Sequence, residues 1–300
     1  MNLISISFEE AWEIYKNLAP KTNGSAHAEM DNSRWHKHIK SFFSGLRLTE
    51  IKTRHILQFR VHLESQGYMP QTVKHYLGQV RRILKKAVQW ELYNGPVPHF
   101  EMPKFDNTRY RYLTHDEAAR LMQAIAKRSE RWHDISLFAL ATGLRAGEIW
   151  RIQKDQISLP DRQIHVMDIK SHRRKITYLP DVAFAIVRKY LNSSNISGYL
   201  FESRNGKKII QVSRSYFLAV EDAGLNCGVT DPLQKVVFHT LRHTFASWLV
   251  QEGTPLQVVQ QLLGHRTISQ TMRYAHLRFD QGVDAIEKLN ACLMSANSIS

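Results

Sequence analysis

Between Asn94 and Asn107 the chain reads NGPVPHFEMPKFDN, with prolines at 96, 98 and 103. Each proline fixes φ and removes a backbone donor, so neither a helix nor an inner strand can run through the stretch. What lies on either side must build its own core. The stretch predicts an interdomain linker over 94–110. Three hundred residues leave room for two ordinary domains around it.

Before the linker the pattern is helical. FEEAWEIYKNL, SRWHKHIKSFF, LTEIKTRHILQFRVHLESQG and PQTVKHYLGQVRRILKKAVQWELY repeat apolar residues at spacings of three and four. In the last, Val73, Tyr76, Leu77, Val80, Leu84 and Val88 form one stripe, and Lys74, Arg81, Lys85 and Lys86 lie mostly off it. Residues 1–93 read as a helical domain.

After the linker, Thr114 to Glu117 forms a capping-box pattern opening a helix, and a second helix through DISLFALATG stops at Gly143. The period then changes. QIHVMDIK and KITYLP are short and β-rich, and SHRR between them predicts a hairpin turn. Asp181 is placed to cap VAFAIVRKYL, and the remainder reads as helix, with Thr254-Pro255 as a start and Gly264 as a stop. Residues 111–300 are therefore expected to be mixed. The whole chain is mainly α with a small antiparallel β-sheet.

Charge narrows the partners. The net charge is +14, and both parts share it: residues 1–100 carry 14 Lys and Arg against 8 Asp and Glu, the rest 27 against 19. A basic surface attracts a polyanion. An ordinary basic protein fits the count as well. A membrane surface fits less well, because no terminal basic amphipathic helix or lipidation motif is present. No apolar run is long enough to span a bilayer, and no signal peptide is evident. Cys227 and Cys292 make neither a metal spacing nor a disulfide pattern. The expected location is cytoplasmic, and nucleic acid is the favoured partner.

Several enzyme classes lack their parts. There is no GxxxxGK loop, no GxSxG elbow, no HExxH, and no carboxylate cluster for a two-metal nuclease. No metal or other cofactor is expected. The notable residues are instead cationic. ATGLRAGEIW places Arg145 just after a helix-ending glycine, with Glu148 three residues on. FHTLRHTFAS puts His239 and Arg242 on one helix face, Lys170 ends a strand at the hairpin, and LLGHRTISQTMRYAHL holds His265 and Tyr274. Each has an ordinary reading: an Arg145–Glu148 ion pair, a capping His239 beside a surface Arg242, a solvated Lys170, a helix-terminal His265 and a core tyrosine.

Taken together, in this order and spacing, Arg145 in TGLRxxE, a lysine on a β-hairpin, HTLRHTFA, LLGH and a tyrosine nine residues later resemble the tyrosine recombinase, or phage integrase, family. The likeness runs from about residue 8 to residue 290, and the first helices resemble that family's core-binding domain. It implies a helical core-binding domain (1–93), the linker (94–110), and a mixed α+β catalytic domain (111–300) whose C-terminal helix packs either in trans or on its own domain. No separate arm-binding domain is recognisable, as in the family's compact members.

The resemblance further implies a site-specific DNA recombinase or integrase. Tyr274 would attack a phosphodiester to give a 3′-phosphotyrosine, without metal or ATP, before strand exchange and religation. Arg145 and Arg242 would fork the phosphate oxygens, Lys170 would protonate the 5′-oxygen leaving group, His239 would accept or relay the tyrosine proton, and His265 would bond a phosphate oxygen. Glu148 would support them. Lys74, Arg81, Lys85, Lys86, Arg173 and Arg174 would contact DNA. The implied partners are a double-stranded recombination site, three further copies in a synaptic tetramer, and accessory DNA-bending proteins. Two other readings stay open: relaxation of DNA in the manner of a type IB topoisomerase, and a non-catalytic DNA-binding protein.

Overall fold

The computed structural model describes residues 6–19, 25–106, 109–168, 173–192, 198–277 and 281–297. The chain separates into two units, Met1–Asn107 and Thr108–Ser300.

The first unit is helical: α1 (Phe8–Leu18), α2 (Ser25–Arg34), a π-helical turn (Trp35–Ile39), α3 (Lys40–Phe43), α4 (Thr53–Ser65) and α5 (Pro70–Gln89). Ser7 and Glu10 form a reciprocal cap at α1: Glu10 N–H donates to Ser7 Oγ at 3.2 Å, and Ser7 N–H to the Glu10 carboxylate at 2.8 Å. Its core is aromatic, with Trp12 stacked on Trp35 at 4.8 Å and Phe43 against Phe59 at 5.1 Å. From α5 it takes Val73, Tyr76, Leu77, Val80, Ile83, Leu84 and Ala87. Val88, expected on that stripe, is exposed. It lies at the flank of the apolar arc, where Ala87 closes the core instead.

Buried Asp31 accepts from Arg34 at 2.9 Å and from Arg82 at 2.9 Å, so its charge is doubly paired. The proline-rich stretch begins on this unit. Tyr93 and Phe100 are buried in its core, and Val97 and Met102 pack against them. Apolar side chains two to four residues apart, held extended by the prolines, give that stretch something to bury.

The second unit opens with α6 (His115–Arg128) and α7 (Glu130–Thr142). The box expected at Thr114 is present, with Glu117 N–H donating to Thr114 Oγ1 at 3.2 Å and Thr114 N–H to Glu117 at 3.0 Å. One-turn α8 (Ala146–Ile149) follows, then a three-stranded antiparallel sheet in the order β1 (Ile157–Ser158), β2 (Gln163–Asp168), β3 (Arg173–Tyr178). Ile164 pairs with Thr177, and Asp168 with Arg173. Arg173 and Arg174, expected in the turn, begin β3 instead. Two-residue β1 carries no alternation that a sequence could show.

Next come α9 (Asp181–Leu191), α10 (Arg214–Asp222), α11 (Phe238–Gln251), α12 (Leu256–Leu263), two short 3₁₀ turns (Ile268–Gln270, Met272–Leu277) and α13 (Gln281–Asn297). Asp181 is not the cap of α9. It is the first helical residue, and its carboxylate pairs with Arg162. The main core runs from Leu113 to Leu241, and a smaller cluster joins Ala246, Val250, Val259, Leu263, Tyr274 and Leu277. Helix α11 belongs to both, which fixes its N-terminal half between them. No helix among the described residues is long and apolar enough to cross a membrane.

Candidate active site

Two left-handed glycines shape the site. Gly143 ends α7 with φ 63°, and Gly264 ends α12 with φ 65°. At Gly143 a Cβ would lie 2.3 Å from Phe245 Cδ1 of α11. Only a residue without a side chain lets α7 end against α11 there.

Arg242 joins these two helix ends. It is 3% exposed. Its Nη1 donates to the Gly143 carbonyl at 2.7 Å and its Nη2 to the Leu263 carbonyl at 2.7 Å. Both acceptors lie at helix C-termini, where carbonyls lack intrahelical donors and the dipole favours a cation. Burial, then Arg145, pushes the Arg242 pKa down to about 10, against Glu148 and Tyr274, and it remains a cation at neutral pH.

Arg145 is the residue on which α8 starts. Glu148 takes its backbone N–H at 2.8 Å and its Nη1 at 2.8 Å, and lies 3.9 Å from Arg242 Nη1. One carboxylate thus sits between the two arginines. Arg145 stays partly open to solvent while Glu148 is largely covered. The pair is real, as the ordinary reading had it, but it also anchors a guanidinium at the edge of the site.

Tyr274 does not ride on an α-helix. It sits in the second 3₁₀ turn, 5% exposed, and its Oη lies 2.7 Å from Nδ1 of buried His243. His239, one turn earlier on α11, meets the His243 ring edge-on at 4.8 Å and is itself exposed. Among the described residues His239 makes no hydrogen bond to Tyr274. His265, just beyond Gly264, has Nδ1 2.8 Å from the hydroxyl of buried Thr271.

The electrostatics agree with this clustering. Burial raises the Tyr274 phenol, and Arg242, Arg273 and Arg145 act in the opposite direction. Burial and then Arg242, Arg145, Arg273 and Lys175 bring His265 down to about 3. Burial, then His239, Arg273, Arg242 and Arg109, brings His243 down to about 3. Desolvation first, and then Arg242, Arg145, Arg109 and Arg273, bring His239 down to about 4. The imidazoles are neutral at physiological pH, chiefly because burial disfavours their charged form and then because cations surround them.

Arg145, Glu148, His239, Arg242, His265 and Tyr274 therefore come together. Lys170 lies outside the described residues. Lys175, five residues later on β3, runs its aliphatic chain past Gly264, where a Cβ would lie 2.9 Å from Lys175 Cδ. Arg173 and Arg174 enter β3 by backbone register, and their side chains lie outside what is described. In the first unit Lys74, Arg81 and Lys85 are exposed along α5, and half-buried Lys86 bonds Gln89 at 2.8 Å over the Trp90 ring.

Four residues joined the site unforeseen: His243, Arg273, Arg109 and Lys175. His243 had a signal in its place one turn after His239 in FHTLRHTFAS. Arg273 had one in its adjacency to Tyr274. Arg109, whose Nη1 donates to the Lys235 carbonyl at 3.2 Å, is more than a hundred residues away in sequence and had none.

Comparison with known proteins places this geometry. Residues 111–281 match the phage integrase family, and residues 8–101 match the phage integrase SAM-like domain. A tyrosine recombinase of Thermosipho africanus is 25% identical over 272 residues, covering 88% of this chain and 94% of its own. The tyrosine recombinase XerA of Thermococcus kodakarensis is 28% identical over 241 residues, covering 80% and 82%. Among solved structures, the Tn1549 transposon integrase in complex with transposon right end DNA superposes with a TM-score of 0.73 at 16% identity, over 94% of this chain and 99% of that one. A lambda integrase dimer bound to a COC′ core site gives 0.72 at 18% identity, over 93% and 79%.

Proposed function

The chain belongs to the phage integrase family, and we propose that within it Tyr274 is the nucleophile of a site-specific DNA recombinase. As a tyrosine recombinase the chain is an enzyme that breaks and rejoins DNA. The observation that carries the assignment of Tyr274 is its burial against the neutral His243 imidazole, in the field of Arg242, Arg273 and Arg145.

A phenol near pKa 10 is ionised only about one part in a thousand at pH 7, so it needs help to attack a phosphodiester. Arg145 and Arg242 supply it. Their free N–H donors fork the non-bridging oxygens and stabilise charge that grows as phosphorus becomes five-coordinate. Glu148 holds the Arg145 fork in place from below. With Thr271 donating to Nδ1 of His265, Nε2–H is left as a donor to a phosphate oxygen. The Tyr274 Oη–P bond forms as the P–O5′ bond breaks. The departing 5′-oxygen takes a proton from Lys170, an ammonium on a flexible stem, and a later 5′-hydroxyl reverses the step.

On α5, Lys74, Arg81 and Lys85 share one exposed face with Gly78, where no side chain keeps a phosphate away. The first unit grips DNA with this face, and Arg173 and Arg174 add to the grip of the second. About eight neutralised phosphates would give a slope of log K against log salt near −7. The exposed apolar row Ile286, Leu289 and Leu293 on α13 fits packing against a neighbouring copy in a DNA-bound tetramer, with accessory bending proteins aiding assembly. Activity belongs inside the cell, on genomic or mobile-element DNA.

The test uses nicked duplexes cut from the genome that encodes the chain. The protein is mixed with them, denatured, and the DNA that stays attached is sequenced. Wild type should retain one recurrent sequence, with the nucleotide on the peptide containing Tyr274. If Tyr274→Phe retains as much DNA, the assignment fails. Relaxation of any supercoiled plasmid with no recurrent sequence would favour the topoisomerase reading. Binding of a specific sequence with no adduct would favour a non-catalytic binder.

A further inference from the structure

The phenol oxygen of Tyr274 has one side-chain hydrogen-bond partner among the described residues, and it is not the histidine of the HxxR pair. It is His243, the residue after Arg242. From this contact we infer that His243 is the catalytic residue that receives the Tyr274 proton during cleavage and returns it during religation. This rests on Tyr274 being the nucleophile.

Three features support it. The first is geometry. At 2.7 Å the phenol and Nδ1 are already within proton-transfer distance, while His239 meets the His243 ring edge-on and makes no hydrogen bond to Tyr274 among the described residues. Helix α11 carries both rings one turn apart, and of the two it is the His243 ring that meets the phenol. The second is rigidity. His243 is 5% exposed, on a helix held between two apolar clusters, and Tyr274 packs in one of them. Acceptor and nucleophile are pre-set rather than brought together by a loop.

The third is charge. Burial first, and then His239, Arg273, Arg242 and Arg109, keep His243 neutral, so one ring nitrogen carries a lone pair; in the tautomer protonated at Nε2 it is Nδ1 that accepts the phenol proton. Burial first, and these charges second, make His243 a poor base while no anion is present. A phosphodiester bound by Arg145, Arg242 and Arg273 cancels part of that field. His243 therefore gains basicity when DNA occupies the site.

The step balances. The Oη–H bond breaks and Nδ1–H forms. Oη–P forms as P–O5′ breaks, and O5′ takes a proton from the general acid. His243 ends protonated and the acid deprotonated, and religation runs both transfers backwards.

The experiment uses the duplex captured by wild type, and measures single-turnover adduct formation under saturating protein. His243→Ala should bind that duplex as wild type does in a mobility shift, yet form adduct at least 100-fold more slowly. Replacing Tyr274 by 3-fluorotyrosine, a more acidic phenol, should restore His243→Ala by tenfold or more and leave His239→Ala unimproved. A duplex with sulfur at the bridging 5′ position, which leaves without a proton, should not rescue His243→Ala. His243→Asn keeps a buried polar group and serves if the alanine variant is unstable, with the same pattern expected.

Adduct formation by either His243 variant within threefold of wild type overturns the proposal. So does fluorotyrosine rescue of His239→Ala alone, or rescue of His243→Ala by the sulfur leaving group. These outcomes are separable from failure of the nucleophile assignment, which only adduct formation by Tyr274→Phe would show.

Discussion

Glu148 accepts both the backbone N–H and the guanidinium of Arg145, each at 2.8 Å. One carboxylate thus starts a helix and aims an arginine. Glu148→Ala should lower stability by about 1 to 3 kcal/mol, since a covered N–H and a cation lose their acceptor. It should also slow adduct formation tenfold or more through a misplaced Arg145. Urea midpoints and single-turnover rates on the captured duplex read the two effects separately. A stable variant with an unchanged rate would confine Glu148 to an ordinary ion pair.

Arg242→Lys keeps the charge but cannot span the two carbonyls of Gly143 and Leu263 as a fork. Leaving buried carbonyls short of donors costs about 1 to 3 kcal/mol each. The variant should therefore unfold at lower urea than wild type and form little adduct. Stability equal to wild type would mean that the two contacts are not made in solution.

Gly143→Ala places a Cβ 2.3 Å from Phe245 Cδ1 at a φ of 63°. Backbone strain and overpacking should together cost about 2 to 4 kcal/mol. In a double-mutant cycle with Phe245→Ala the losses should fall short of additive, because the second change removes the clash. Full additivity would place the cost in the backbone alone.

Acid should weaken the second unit earlier than carboxylate titration would. The folded-state pKa values of His243 and His265 are brought down to about 3, mainly by burial, and the unfolded value is near 6.5. Below pH 6.5 the unfolded chain binds protons that the folded chain refuses. This stabilisation is therefore complete above pH 6.5 and falls as pH drops toward 3. Each group contributes up to about 1.4 kcal/mol per pH unit. Unfolding free energies from urea at pH 7.5 and 5.5 should differ by about 2 to 3 kcal/mol in wild type, and by less in His265→Asn. Identical pH dependence in the two proteins would remove His265 from the account.

Much of this was written locally in the chain. The helices of the first unit follow from apolar spacing, the ends of α7 and α12 from Gly143 and Gly264, and the start of α6 from Thr114 and Glu117. Each is decided within a few residues, which a sequence displays directly. The site residues were legible for another reason: their types and spacing resembled a known set.

What stayed hidden was decided across long separations. His243 became a partner of Tyr274 only when a 3₁₀ turn packed on α11, 31 residues away. Arg109 reached the imidazoles from the far end of the unit. Asp181 looked like a cap until Arg162, just before β2, claimed its carboxylate. Strand β1 is too short to show alternation.

The double role of Arg242 bears on anyone who wants a silent copy of this enzyme. A group that clamps two helix ends and, in the function proposed, also holds substrate cannot be deleted without loosening the scaffold, so a variant made there would mix damage with inactivity. Tyr274 lends itself better. Loss of its single oxygen leaves the ring packed among Val250, Val259 and Leu263. A Tyr274→Phe copy should still occupy DNA and still assemble, and so poison a mixed complex by taking a place that an active subunit would have filled.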